Sequence, residues 1–433
     1  MIVRTSVIVI VIFLSSISRC FAFLGPKNNE KDIVTTLIED TGYPVQVYNI
    51  WTEDKYRIRL HRIPYSRDVV KSRDRLNLLR FLNKKMFLSS FFGNTFSQKP
   101  RSVNKRSTKD PILLVHGLLC SGSMWIANAS NSIAYQLSDA GNDVWLISAR
   151  GTSPSIGHKV WNTNNPKYWD FSWHEIGVYD ITRAIDFIVE KTQKSKLIYV
   201  GHSQGSTSYL VGMSQRPEYN AKISRAILLA PAAYMPHPTG LVGDLSTSDG
   251  GDNVMKFFIQ TKTHYLPLRQ TLLVDSIAAF CQDPFLNSIC LQGVYYITGP
   301  GSEPGVDKYN MMLDLVKFVG DNCAVKQMVH YLQIIRNSRF QLFDYGPQKN
   351  QMYYSADKPP EYDLGLIDSP LTIFSFAKDA LVVPEDIQVL LTKLTGSPPK
   401  HIITPGNHVD FLFDPSAVQK ITNEILSSSG SEN

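Results

Sequence analysis

From Pro111 onward, short apolar runs alternate with stretches whose apolar residues recur at helical spacing, and this alternation restricts the fold more than any other feature. Ile112 to Val115, Asp143 to Ser148, Lys196 to Val200 and Ile223 to Ala230 read as buried strands. Between them, Ser132 to Ala140, the set Ile176, Ile181, Ala184, Ile185 and Ile188, and Ser203 to Gln215 fit helices. Strand–helix alternation of this kind predicts an α/β fold, a mostly parallel sheet flanked by helices on both faces. The pattern stops near Pro231 and resumes at Pro370. There Leu371 to Phe376, Glu385 to Leu394, His401 to Thr404 and Pro415 to Ile425 supply strand, helix, strand and helix. The interval is rich in Gly, Pro and aromatics, with helical pieces at Tyr309 to Val319 and Ala324 to Asn337, and reads as an inserted cap or lid. Upstream, Gln46 to Thr52 and Tyr56 to Ile63 alternate with period two around the polar turn TEDK, as a β-hairpin does.

Within that frame, Gly201-His202-Ser203-Gln204-Gly205 follows the apolar strand LIYV and opens a helix. The five-residue pattern alone is weak, but strand, sharp turn and helix together are what a nucleophile elbow requires. Side chains at 201 and 205 would collide with the neighbouring strand and helix, so both positions need glycine. The turn lifts the Ser203 hydroxyl above the sheet, near the positive end of a helix dipole.

A serine hydroxyl needs a base to take its proton. In a fold of this kind the base and its carboxylate partner follow the serine in the order Asp or Glu, then His, on loops after late strands. His408 in GNHVDF follows the strand HIIT and fits as base; His401 opens that strand and reads as structural. Asp379 follows LTIFSF and fits as the carboxylate that fixes the imidazole tautomer. Its rivals are Glu385 and Asp386, in what reads as a first helical turn after Pro384, and Asp410, close to His408. The backbone N–H groups of Leu118, in His116-Gly117-Leu118-Leu119, and of Gln204 are the expected oxyanion donors, together worth several kcal/mol at the transition state.

The N-terminus reads as an address. Arg4 gives a positive start, Ser6 to Leu14 is almost wholly apolar, and Cys20 and Ala22 suit cleavage after residue 22. The apolar run is shorter than the roughly 20 residues a membrane span needs. Once Cys20 is removed, four of the five cysteines remain. Three pairings are open to them; Cys281 with Cys290 is the expected one in an oxidising compartment, leaving Cys120 and Cys323 as buried thiols. Their spacing fits no zinc site, so no metal is expected. Asn128-Ala129-Ser130 is an acceptor sequon for a glycan.

Charge is local. Residues 67–110 hold twelve Lys or Arg against three Asp, a net of +9, whereas the whole chain carries +6. The remainder is therefore mildly acidic, which argues against a nucleic-acid-binding protein. Within the basic segment, Leu76, Leu79, Leu82, Met86, Leu88 and Phe92 interleave with Arg80, Lys84 and Lys85. That pattern suits an anionic lipid surface, though short windows often give it and a solvated insertion is the simpler reading. The expected organisation is 1–22 signal peptide, 23–66 N-terminal segment with the hairpin, 67–110 basic insertion, 111–231 and 366–433 sheet core, and 232–365 cap.

The stretches ILLVHGLLCSGSMWI, DAGNDVWLISARG, YWDFSWHEIGVYDITRAIDFI, IYVGHSQGST, ILLAPAAYM, FQLFDYG, PPEYDL, KDALVVPED and NHVDF resemble the acid lipases of gastric and lysosomal type and their insect relatives. The likeness spans about residues 35–65 and 111–425. It implies the α/β-hydrolase fold, a triad of Ser203, Asp379 and His408, an oxyanion hole at Leu118 and Gln204, and a cap disulfide between Cys281 and Cys290. It also implies hydrolysis of long-chain acyl esters such as triacylglycerols and steryl esters at a lipid–water interface. No cofactor, nucleic acid or obligate protein partner is implied, peripheral contact with a membrane or lipid droplet is, and the destination is extracellular or lysosomal. Three departures stand out: TSPSIG follows ARG where the family has an Asn-x-Tyr-Ser stretch, Ala380 stands where Trp is common, and the basic insertion is long. An esterase for shorter, more soluble esters is the enzymatic alternative, because fold and triad do not fix chain length. A catalytically silent lipid carrier is the other; it ordinarily lacks a triad member, and here all three are present.

Overall fold

The computed structural model describes residues 32–70, 109–246, 248–268, 281, 283, 287–301, 320–396 and 398–427. The signal peptide expected at residues 1–22, residues 71–108 of the basic segment with its amphipathic stretch, and the helix expected at Tyr309 to Val319 lie outside them.

Eight strands form one sheet. They are β1 (Gln46–Trp51), β2 (Arg57–Ile63), β3 (Ile112–Val115), β4 (Val144–Ser148), β5 (Leu197–His202), β6 (Ile223–Leu229), β9 (Leu371–Phe376) and β10 (Lys400–Thr404). The order is β1-β2-β4-β3-β5-β6-β9-β10. β1 and β2 pair antiparallel, β2 meets β4 antiparallel, and every other neighbour is parallel. Each residue of β3 and β4 is buried, as expected where helices cover both faces and the strand sequence is continuously apolar. The edge strands β1 and β10 instead mix exposed positions with covered ones.

The N-terminal helix Ile33–Asp40 is fastened at its start. Asp32 accepts from the N–H groups of Val34 and Thr35 at 3.1 Å each. The same carboxylate meets Arg59 at 2.8 Å and His61 at 2.9 Å, so one residue caps the helix and ties it to β2.

One segment departs from the regular helix that its periodicity predicts. Ile176–Ile181 is a π-helical turn, followed by the α-helix Thr182–Thr192. It lies against the helix Gln204–Gln215, where a Cβ on Gly177 would come within 2.6 Å of the Ser208 carbonyl oxygen. The turn also places Asp180, wholly buried, against Arg150.

Between β6 and β9 run the helices Gly240–Ser246, Ser248–Thr261, Asn287–Thr298, Val325–Asn337 and Pro347–Tyr354. A two-stranded antiparallel pair, β7 (Tyr265–Leu266) with β8 (Cys323–Ala324), lies in the same insertion. Cys281 and Cys290 are disulfide-bonded, and Cys120 and Cys323 are free and buried.

Candidate active site

Parallel strands end on one edge of the sheet, and loops leaving that edge converge where the strand order permits. β5 ends at His202, and the chain turns into the helix Gln204–Gln215 through Ser203, whose φ of 50° and ψ of −115° lie outside the regions a side chain favours. Such a conformation costs on the order of 1–3 kcal/mol and persists only where its surroundings enforce it. Here they do: Ser203 N–H donates to Leu229 O at 2.8 Å. A Cβ on Gly205 would lie 2.4 Å from the Val115 carbonyl oxygen, and one on Gly201 would lie 2.7 Å from the Gly205 carbonyl carbon. The helix can therefore press against β3 and β5 only with glycine at both places.

β9 and β10 carry the next two groups. His408 Nδ1 lies 2.7 Å from Asp379 Oδ2, and both residues are buried. The other oxygen of Asp379 accepts from the N–H groups of Leu381 at 2.8 Å and Val382 at 2.9 Å. That carboxylate is thus held on both oxygens, with one aimed at the imidazole. Two of the rival acids are committed elsewhere and the third faces solvent. Asp386 pairs with His237 Nδ1 at 2.7 Å, Asp410 accepts from Asn407 N–H at 2.9 Å, and Glu385 is exposed in the first turn of the helix Pro384–Lys393. His401 is engaged with Ser375 Oγ at 2.8 Å, as a structural histidine would be.

The elbow and the His408 loop are joined directly. His202 Nε2 donates to His408 O at 3.0 Å. Burial pushes the His202 pKa well below its ordinary value, and the neighbouring His408 pushes it the same way. Opposite them, Gly117 sits against the elbow: a Cβ there would be 3.4 Å from Ser203 Cβ. Gln204 opens its helix, so its N–H belongs to the first turn, where no intrahelical acceptor exists. The Asn128 side chain, half-buried, donates to Leu412 O at 3.1 Å. A glycan on that nitrogen must keep or replace this bond.

A family model for a partial alpha/beta-hydrolase lipase region matches residues 34–129, and one for the alpha/beta hydrolase fold matches residues 110–262. Gastric triacylglycerol lipase of Bos taurus is 31% identical over 97% of this chain and 97% of its own length. The chain belongs to the acid lipase family. Lipase 3 of Drosophila melanogaster is 31% identical, over 90% of each chain. This lipase, a carboxylic ester hydrolase, also shares its fold with a solved structure from Sulfolobus solfataricus at a TM-score of 0.54. That match has 13% identity and covers 89% of this chain and 94% of that one.

Several contacts of the lipase site have no signature in the sequence. The helix Asn287–Thr298, in the insertion between β6 and β9, ends on the loops that carry Asp379 and His408: Thr298 O accepts from His408 N–H at 3.1 Å and from Ala380 N–H at 3.3 Å. Gly299 O accepts from Asn407 Nδ2 at 2.9 Å. Two of the departures from the family pattern also meet the cap. Ala380 O accepts from Thr239 N–H at 2.7 Å, and Ser153, in the TSPSIG stretch, bonds Asp321 through its N–H at 2.7 Å and its hydroxyl at 2.9 Å. Only the chemistry-bearing residue types could be picked out from sequence; backbone carbonyls carry no such mark. Among the described residues, no cluster of three or more His, Cys, Asp or Glu side chains is placed to hold a metal ion.

Proposed function

We propose that this lipase hydrolyses the carboxylic esters of neutral lipids, triacylglycerols foremost, through an acyl-enzyme on Ser203. The observation that carries the reading is the Asp379–His408 hydrogen bond of 2.7 Å on loops at the same sheet edge as the strained Ser203 turn. In the proposed reaction, His408 Nε2 takes the Ser203 proton as Oγ attacks the ester carbonyl carbon. Asp379, fixed by two backbone N–H groups, keeps the imidazole in the tautomer with its proton on Nδ1 and stabilises the imidazolium that forms. The Leu118 and Gln204 N–H groups receive the negative charge on the carbonyl oxygen. Collapse expels the alcohol, a diacylglycerol when the substrate is a triacylglycerol, with the proton returned by His408. Water then attacks the acyl-enzyme with the same base, releasing the fatty acid and free Ser203.

The substrate class rests on the gastric triacylglycerol lipases that match nearly the whole chain. The Cys281–Cys290 disulfide supports an oxidising destination, extracellular or lysosomal, reached with the signal peptide read at residues 1–22. The test compares an emulsified long-chain triacylglycerol with a soluble short-chain ester, using Ser203→Ala as the blank. Turnover of the emulsion by the unaltered enzyme alone is expected. Cleavage of only the short ester replaces lipase with esterase. Activity retained by Ser203→Ala removes Ser203 as nucleophile.

A further inference from the structure

β3 delivers His116 to the carboxyl edge of the sheet, where its buried imidazole makes two hydrogen bonds whose polarity follows from the partners alone. The backbone N–H of Ala149 meets Nε2 at 3.0 Å. A backbone N–H can only donate, so Nε2 is the unprotonated acceptor and the ring proton resides on Nδ1. Nδ1 lies 2.8 Å from Gly117 O and donates to it. Burial lowers the His116 pKa, outweighing the Gly117 carbonyl and Asp321, which act in the opposite direction. The ring therefore keeps the neutral form that both bonds require.

The Gly117 carbonyl belongs to the same peptide unit as the Leu118 N–H. A trans peptide is planar, with its C=O and N–H pointing in opposite directions. Holding the oxygen therefore aims the hydrogen. The glycine is needed for space, because a Cβ at 117 would lie 3.0 Å from His202 Nδ1 and 3.4 Å from Ser203 Cβ. That same glycine leaves the backbone dihedrals soft, so an external partner must set the tilt of this peptide. On its far side the strip is held at Leu119, whose φ is 62° and whose carbonyl accepts from Gly320 N–H at 3.0 Å and Asp321 N–H at 2.9 Å. His116 supplies the near side.

We propose that His116 is a positioning residue whose Nδ1–H locks the Gly117–Leu118 peptide so that the Leu118 N–H faces the oxyanion formed at Ser203. This rests on the acyl-enzyme reading above. The imidazole touches neither substrate nor nucleophile; it acts through one peptide plane. An oxyanion donor misaimed by loss of its lock affects the charged tetrahedral state and leaves ground-state ester binding nearly untouched.

The experiment uses His116→Leu, which has no donor, and His116→Asn, whose side-chain amide places an N–H close to the position of Nδ1. Both are assayed on a soluble ester, with rates normalised to the Ser203 that reacts with a fluorophosphonate, so that misfolded protein is not counted. Affinity for a boronic acid that forms a tetrahedral adduct on serine is measured alongside. H116L is expected to lose about 100-fold in kcat, the scale of one oxyanion donor, with KM changed less than about threefold. Boronate affinity should fall in parallel, and H116N should recover at least about tenfold of the rate. Equal losses in H116L and H116N, or a loss confined to KM, overturn the proposal. In the unaltered enzyme, nitrogen-15 shifts of His116 should report a protonated Nδ1 and a bare Nε2; the opposite tautomer overturns it without any substitution. An unaltered enzyme inactive on every ester would instead sink the acyl-enzyme reading itself.

Discussion

Gln327 Nε2 donates to Gln204 Oε1 at 3.0 Å, so the side chain of a candidate oxyanion residue is held by a helix of the insertion between β6 and β9. Gln327 uses its own oxygen to accept from Ala324 N–H at 2.9 Å, closing the first turn of Val325–Asn337. One helical turn further on, Tyr331 and Thr207 hydroxyls lie 3.0 Å apart. The two helices are thus laced at successive turns, one beginning at the elbow and the other belonging to the insertion. Together with the Thr298 and Gly299 carbonyls, this means that the insertion contacts both halves of the candidate site, the Ser203 side and the His408 side.

Removing the lacing amide should cost stability and rate together. Gln327→Leu leaves Gln204 Oε1 and Ala324 N–H without their partners, and each buried unpaired polar group costs about 1–3 kcal/mol. A lower unfolding temperature and a kcat reduced more than KM are expected. Calorimetry and ester kinetics on the same preparation check both, and wild-type values in each would show that the lacing is idle.

The Cys281–Cys290 bridge should matter to catalysis at a distance. Cys290 lies in the helix whose last residue, Thr298, holds His408 N–H. Cross-links of this kind typically contribute about 2–4 kcal/mol. The Cys281→Ser/Cys290→Ser variant is expected to show faster hydrogen exchange in Asn287–Thr298 and a several-fold lower kcat, while β3 and β5 stay protected. Unchanged exchange in that helix would sink the link between bridge and histidine loop.

The parts of this fold legible in the sequence are those where one local rule suffices. Leu371–Phe376 is apolar because both sheet faces are covered, and its strand ends are where the pattern puts them. Ser203, Asp379 and His408 announce themselves by residue type and loop placement, and the structure joins the last two. Periodicity could not reveal the π-turn at Ile176–Ile181, because one extra residue per turn is too small a change over so short a window. Nor could it show that Asp386 serves His237, or that Thr298 reaches His408, since both contacts join segments far apart in the chain.

Acid should test the N-terminal fastening at Asp32. Burial works to raise this carboxyl's pKa, but the His61 and Thr35 hydrogen bonds and the attraction of His61 outweigh it, and the pKa falls well below its ordinary 3.8. A depressed acid contributes stability that is full above its unfolded pKa and lost as pH falls toward the folded one. Asp32→Asn keeps one oxygen able to cap the helix, while it removes the charge and replaces the oxygen that meets Arg59 with a donor. The expected loss is on the order of 1.5–3 kcal/mol at pH 6–7, as for a hydrogen bond to a charged group. That difference should shrink as pH drops below about 4. Unfolding midpoints of both proteins across this range decide it, and a gap that stays constant into strong acid would contradict the assignment.

Arg150 carries the largest expected penalty. Its side chain is wholly buried, with Nε and Nη2 at 2.9 and 2.7 Å from Asp180 Oδ1, Nη2 at 2.9 Å from Asp54 Oδ1, and its guanidinium 4.1 Å from the Tyr56 ring centre. Burial opposes the charge, but Asp180 and Asp54 outweigh it and raise the Arg150 pKa further. One cation therefore joins the β1–β2 turn, the end of β4 and the π-turn. Arg150→Met strands the Asp180 carboxylate in the interior, and breaking such a buried pair costs about 3–5 kcal/mol. Arg150→Lys should fall between, since a lysine keeps the charge but cannot form the planar fork that reaches both carboxylates. If the cost is the orphaned charge and not lost packing, Arg150→Met/Asp180→Asn will be more stable than Arg150→Met alone. Urea midpoints for the three variants separate the two causes, because a packing defect would make the double variant the weakest of the set.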